Sequence, residues 1–192
     1  MGPAGRRSAR GGREANPTTR GREEGRRTRR NVAGANTAFA EGKLTPMRFV
    51  TRSKVHVDRI ATAWAIRRFI DPHATFAFVD RNADVSDLDA IPFDMRGAEL
   101  GHHAGRCTFE VLLDSYELRD AALRQMGAIV RAIDLPFDSE TTEEVAGLAA
   151  AFNQIRDADI ADEERLVRGR LICEELYVKC GGSHADSKEV QE

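Results

Sequence analysis

The sequence predicts an α/β (or α+β) domain, a small sheet covered by about five helices, with the C-terminal half mainly helical. Two observations carry this reading. A β-rich stretch at 49–51, a run of helical spacing at 57–70 and a second β-rich stretch at 75–79 make a strand–helix–strand unit, which packs a helix on a sheet. Beyond residue 108 the apolar residues recur at intervals of three and four.

Taken in order, Phe49-Val50-Thr51 reads as the first strand, ended by the polar Arg52-Ser53-Lys54. Between Val57 and Ile70, the residues Val57, Ile60, Ala61 and Trp64 share one helical face. Asp71-Pro72 stops this helix, because the residue before a proline is pushed out of the α region. Thr75 to Val79 reads as the second strand. Residues 80–92 form a polar connection with a short turn at Leu88 and Ile91, and Phe93-Asp94-Met95 reads as a third strand ended by Arg96-Gly97. Thr108 to Tyr116 is a helix capped by Thr108, with Phe109, Leu112 and Leu113 facing inward. Leu118 to Ile133 carries Ala122, Met126, Ile129 (or Val130) and Ile133 at helical spacing. Glu143 to Ile155 and Ile160 to Val178 complete the set, the latter ended by Gly181-Gly182.

The charge is unevenly spread. Residues 1–46 carry ten Arg and Lys43 against Glu14, Glu23, Glu24 and Glu41, a balance of +7. The remaining 18 basic and 27 acidic residues give 47–192 a balance of −9, hidden within a net charge of −2. Val32, Phe39 and Leu44 are the only large apolar residues of the first segment besides Met1, too few to offset the entropy of ordering it. It is therefore expected to be a disordered Arg/Gly-rich extension, ahead of a domain over 47–182 and a frayed tail over 183–192. Met47 is a candidate for the true start. The Arg run at 20–30 lacks the interleaved aromatics of a nucleic-acid arm, and Asn31 to Asn36 is too polar for a targeting segment. No run approaches the ~18 consecutive apolar residues of a membrane span. Three cysteines are too few for a disulfide scaffold and suit a reducing, cytoplasmic setting.

Chemistry gathers in three places. Arg52, Lys54 and Arg59 crowd the end of the first strand with cations that suit a small anion, while His56 and Asp58 place an imidazole beside a carboxylate. The plainer reading makes Asp58 an N-cap or a favourable first-turn acid of its own helix and His56 a surface loop residue. Glu99, His102, His103 and Cys107 form a dense ligand set for zinc or iron(II), although their spacing matches no common closed zinc site. Cys107 precedes a helix and follows Arg106, both of which lower a thiol pKa, so it reads as a nucleophile, a soft ligand or an electron donor; the plainer reading is a partly buried, inert thiol. Asp134, at the end of the 118–133 helix, is a distant acid that could return to the site.

Together these stretches resemble the C-terminal-type domain of the chromate-resistance protein family ChrB. The resemblance rests on Val50-Thr51-Arg52, His56 to Ala61 and Trp64 to Pro72, continued by Phe93-Asp94, Glu99, Gly101-His102, Cys107 to Glu110 and Ile129-Val130 with Asp134. It implies an association with chromate resistance, either as part of a chromate-responsive regulator or as a stand-alone domain. Only 46 residues precede the domain, so the stand-alone form is expected. Carried over by position, the functional set is Arg52, His56, Asp58, Arg59, Glu99, His102, Cys107, Glu110 and Asp134. Where the family often has a His, this chain has Arg131.

Three functions follow as expectations. The first is a domain that binds, senses or handles an oxyanion, chromate foremost, on Arg52, Arg59 and Arg106, with Cys107 and Glu110 in catalytic roles. The second is a small hydrolase or redox enzyme using a divalent metal, zinc or iron, held among His56, Asp58, Glu99, His102 and Asp134. The third is a ligand-switched regulatory module. The expected partners are thus a small oxyanion or a metal and no membrane, with nucleic acid not expected for the domain and bound weakly at most by the basic tail.

Overall fold

A computed structural model describes residues 45–86, 88–135 and 142–184. All but the last two residues of the predicted extension, and all but the first two of the predicted tail, lie outside the described residues.

β1 (Arg48–Arg52) is the middle strand of a three-stranded parallel sheet of order β2-β1-β3, where β2 is Thr75–Val79 and β3 is Ile91–Pro92. Phe49 pairs with Phe76 on one side and with Ile91 on the other. Phe49, Val50 and Thr51 are completely buried, as expected of a central strand in a parallel sheet covered on both faces. The buried Thr51 hydroxyl is satisfied by donating to the Phe93 carbonyl at 2.8 Å.

α1 (Val57–Ala65) leads from β1 towards β2, and the chain runs on through Ile66–Ile70 as a π-helical segment, where an α-helix to Ile70 was expected. The Asp71 N–H closes the wider turn on the Ile66 carbonyl at 2.8 Å. That turn sets Phe69 against Trp64 and Tyr177, each with a centroid distance of 5.5 Å. Asp71 then ties the sheet entry together, accepting from the Met47 N–H at 2.7 Å and the His73 N–H at 2.9 Å.

The third strand lies two residues before the predicted Phe93–Met95. Pro92 confines it to a sheet edge, since a proline cannot donate to a ladder. Phe93 enters the core and pairs in an isolated bridge with Leu100, and Asp94 turns the chain at φ +47°.

Four helices complete the described fold: α2 (Thr108–Ser115), α3 (Ala121–Asp134), α4 (Glu143–Asp157) and α5 (Asp162–Lys179). With the parallel sheet they make an α/β domain. The N-cap of α2 is Cys107, not Thr108, which is its first helical residue. α3 starts later than Leu118 because Asp120 caps it, accepting from the Ala122 and Leu123 N–H groups at 2.7 and 3.3 Å. Within α3, Val130 rather than Ile129 is fully buried. The core centres on Phe49, Ile60, Phe93, Phe109, Leu112, Met126 and Phe152, between the sheet and the helices. No helix of the described residues is long and apolar enough to cross a membrane.

Candidate functional site

The site is built from the loop after β1 upward. Lys54 takes φ +58°, which presents the Lys54 and Val55 N–H groups to the Asp162 carboxylate, both at 2.9 Å. Arg59 reaches back from α1 and donates through Nη1 to the carbonyls of Arg52, Ser53 and Lys54, each at 3.3 Å. With the loop held from both sides, Asp58 in the first turn of α1 points into the protein and is 1% exposed.

Asp58 does not cap its own helix. Its two oxygens accept from the Thr108 and Phe109 N–H groups, both at 2.8 Å, so a carboxylate on α1 caps α2 fifty residues later. The preceding loop brings in His102. Ala104 and Gly105 both take positive φ (+50° and +75°), folding a tight turn in which His103 and Arg106 exchange backbone hydrogen bonds.

Three carboxylates meet the His102 ring. Nε2 lies 3.0 Å from Asp58, 3.3 Å from Asp134 at the end of α3, and 3.5 Å from Asp94. The hydrogen bond to Asp58, outweighing partial burial, raises the His102 pKa, and the charges of all three acids push the same way. Asp134 is pushed up to about 6, chiefly by burial and then by the negative charges of Asp58 and Asp94. Donor atoms of Asp58, His102 and Asp134 all lie within 4.8 Å of one another, a spacing at which one metal ion could be shared. The group stands at the carboxyl end of the parallel strands, where such sheets place their sites.

The other candidate residues lie elsewhere or are engaged. His56 points to Asn153, with Nε2 3.1 Å from Oδ1, and burial followed by the charge of Arg156 lowers its pKa. Glu99 has an exposed side chain, and its backbone carbonyl is the acceptor for His103. Neither belongs to the Asp58–His102–Asp134 group. Arg59 and Arg52 both turn to Asp94, at 2.6 and 3.5 Å. Arg106 pairs with Asp114, which Arg124 also holds at 2.8 Å.

Cys107 departs from its expected chemistry. Burial, reinforced by the Asp58 charge, pushes its thiol pKa up rather than down, and outweighs the hydrogen bond that the Glu110 N–H gives the sulfur. Glu110 accepts from the Cys107 N–H at 3.2 Å and lies 3.4 Å from Arg131. Asp94 is the site residue that sequence reasoning did not single out. Its signals are its place within the Phe93-Asp94-Met95 strand candidate and in the Phe93-Asp94 pair that carries the resemblance, and its positive φ marks a backbone shaped to aim the side chain.

With this geometry in view, comparison with known proteins is decisive. The family model "ChrB, C-terminal domain" matches residues 49–180. This chain belongs to the ChrB C-terminal domain family. It is also similar to Protein ChrB of Cupriavidus metallidurans, 36% identical over 130 residues, which cover 67% of this chain and 39% of that protein. The chain thus spans about two fifths of its relative's length. No solved structure matches it. Every element of the Asp58–Asp94–His102–Asp134 group falls within the matched residues, and membership of the family supports an association with chromate resistance.

Proposed function

We propose that this ChrB-type domain acts in chromate resistance through one divalent cation held by Asp58, His102 and Asp134, with Asp94 at its edge. The observation that carries this reading is the convergence of donor atoms from all three residues within 4.8 Å. An imidazole with carboxylates is a borderline-to-hard donor set, which suits iron(II), zinc or manganese rather than a thiophilic ion.

Charge supports a cation over an anion here. Asp58, Asp94 and Asp134 face one imidazole, and the guanidiniums of Arg52 and Arg59 already face Asp94. A dianion at this point would meet the carboxylates first, whereas a divalent ion would offset their mutual repulsion. Asp58 would be a well-oriented ligand, since two backbone N–H groups fix its plane and each oxygen keeps a second lone pair. Three protein donors leave coordination positions for water or substrate, the condition for hydrolytic or redox chemistry.

The test is calorimetric titration of the chelator-treated chain with zinc and manganese, with elemental analysis after dialysis. One ion per chain is expected, and His102→Ala and Asp134→Asn each weaken binding at least tenfold, roughly the effect of losing one ligand or its partner. The absence of stoichiometric binding, or variants that bind like the parent while folded by circular dichroism, overturns the reading.

A further inference from the structure

A second site lies on the other side of α1. Between its π-helical extension and α5 there is a cavity of about 110 Å³, several times what admits one water. Ala63, Trp64 and Leu166 form its apolar floor, and Arg67, Arg68 and Arg170 stand around it with Glu174.

The guanidiniums are not equally engaged. Arg68 lies 3.6 Å from Glu174 and donates to the Ser183 carbonyl at 3.1 Å. Glu174 in turn accepts from the Trp64 indole N–H at 3.0 Å. Arg67 donates from Nε to the Ala74 carbonyl at 3.2 Å and stacks over Phe76 at 4.7 Å, which leaves both its Nη atoms without a hydrogen bond among the described residues. Arg170 is exposed and makes no hydrogen bond or ion pair among the described residues. Among the described residues, three cations therefore line the cavity with one carboxylate, in the part of the chain that carries the net negative charge. Burial first, and then the nearby charge of Arg170, make the Arg67 guanidinium easier to deprotonate than usual.

We infer that this cavity binds a small carboxylate with an aliphatic body, its head between Arg67 and Arg170 and its chain on Trp64, Ala63 and Leu166. Two guanidinium forks match the planar, bidentate geometry of a carboxylate. The floor decides against a bare tetrahedral oxyanion, whose remaining oxygens would face apolar surface without donors. An aliphatic chain gains there with every methylene it buries. No residue is shared with the cation site, so this proposal is independent of it.

Trp64 is the chain's one tryptophan and lines the cavity, so its fluorescence reports occupancy directly. The full chain is titrated in chelator with pentanoate at constant ionic strength, with pentanamide and sulfate as comparison arms. Pentanoate gives a saturable change in emission, pentanamide gives none, and sulfate binds more weakly. Arg170→Gln, a surface change that spares the fold, weakens pentanoate about tenfold, the effect of one charged hydrogen bond. Arg67→Gln acts in the same direction. An equal response to pentanamide, tighter binding of sulfate, or an affinity unchanged in Arg170→Gln overturns the proposal.

Discussion

At the scale of single residues, the site holds an electrostatic tension at Asp134. Folding buries its carboxyl and sets it beside two other acids, and its pKa rises from 3.8 to about 6. A group whose pKa is raised on folding favours the folded state while protonated and loses that contribution as the pH climbs through the folded value. In metal-free protein, the ionised Asp134 therefore costs stability above about pH 6, by an upper bound of ~3 kcal/mol. Asp134→Asn should accordingly raise the stability of the chelated protein at pH 8, and change it little at pH 4. Urea unfolding at both pH values checks this, and a gain equal at the two would mean that the Asn amide packs better for reasons unrelated to charge. Cys107 carries the opposite lesson. Its place before a helix and beside Arg106 suggests an activated thiol, but burial, followed by the charge of Asp58, outweighs the Glu110 N–H that the helix does offer the sulfur.

At the scale of elements, the helices are placed by close approaches as much as by apolar faces. α1 and α5 meet at Gly169, where an added Cβ would stand 2.3 Å from Cγ2 of the buried, β-branched Ile60. Ile60 cannot swing aside without leaving the core. Gly169→Ala should therefore cost about 1–3 kcal/mol through overpacking, even though alanine by itself favours a helix by ~1 kcal/mol. Thermal unfolding of the variant reads this out, and a rise in midpoint would show that the two helices separate freely. The helix spacing, the Asp71-Pro72 stop and both long strands are legible in the sequence, because each depends on local periodicity and local sterics. β3 and the π-helical segment are not. Pro92 argues against a strand to any local reading, and only pairing with Val50 makes it one. The π turn exists because Phe69 packs on Trp64 and on Tyr177, the latter more than a hundred residues away.

At the scale of the whole molecule, the described residues from 45 onward bury their own core, and the matched family segment begins at 49. Residues 1–44 carry basic charge and few large apolar side chains. A chain that begins at Thr45 should therefore unfold within roughly 2 °C of the full chain, a shift of well under 1 kcal/mol for a domain of this size. A markedly lower midpoint would give the basic segment a structural role. The sequence by itself determined the acidic, mainly helical α/β domain, its family, and Asp58, His102 and Asp134 as candidates in separate stretches. Periodicity, composition and motif order carry that information, and all are local properties. Only the tertiary structure decided that these three residues meet and that Asp94 joins them. It also turned Arg52, Arg59 and Arg106 to carboxylates and His56 to Asn153. The physical reason is that a side chain's partner is chosen by the packing of whole helices. Asp58 caps α2 rather than α1 because α1 and α2 cross there, and nothing within a few residues of Asp58 encodes that crossing.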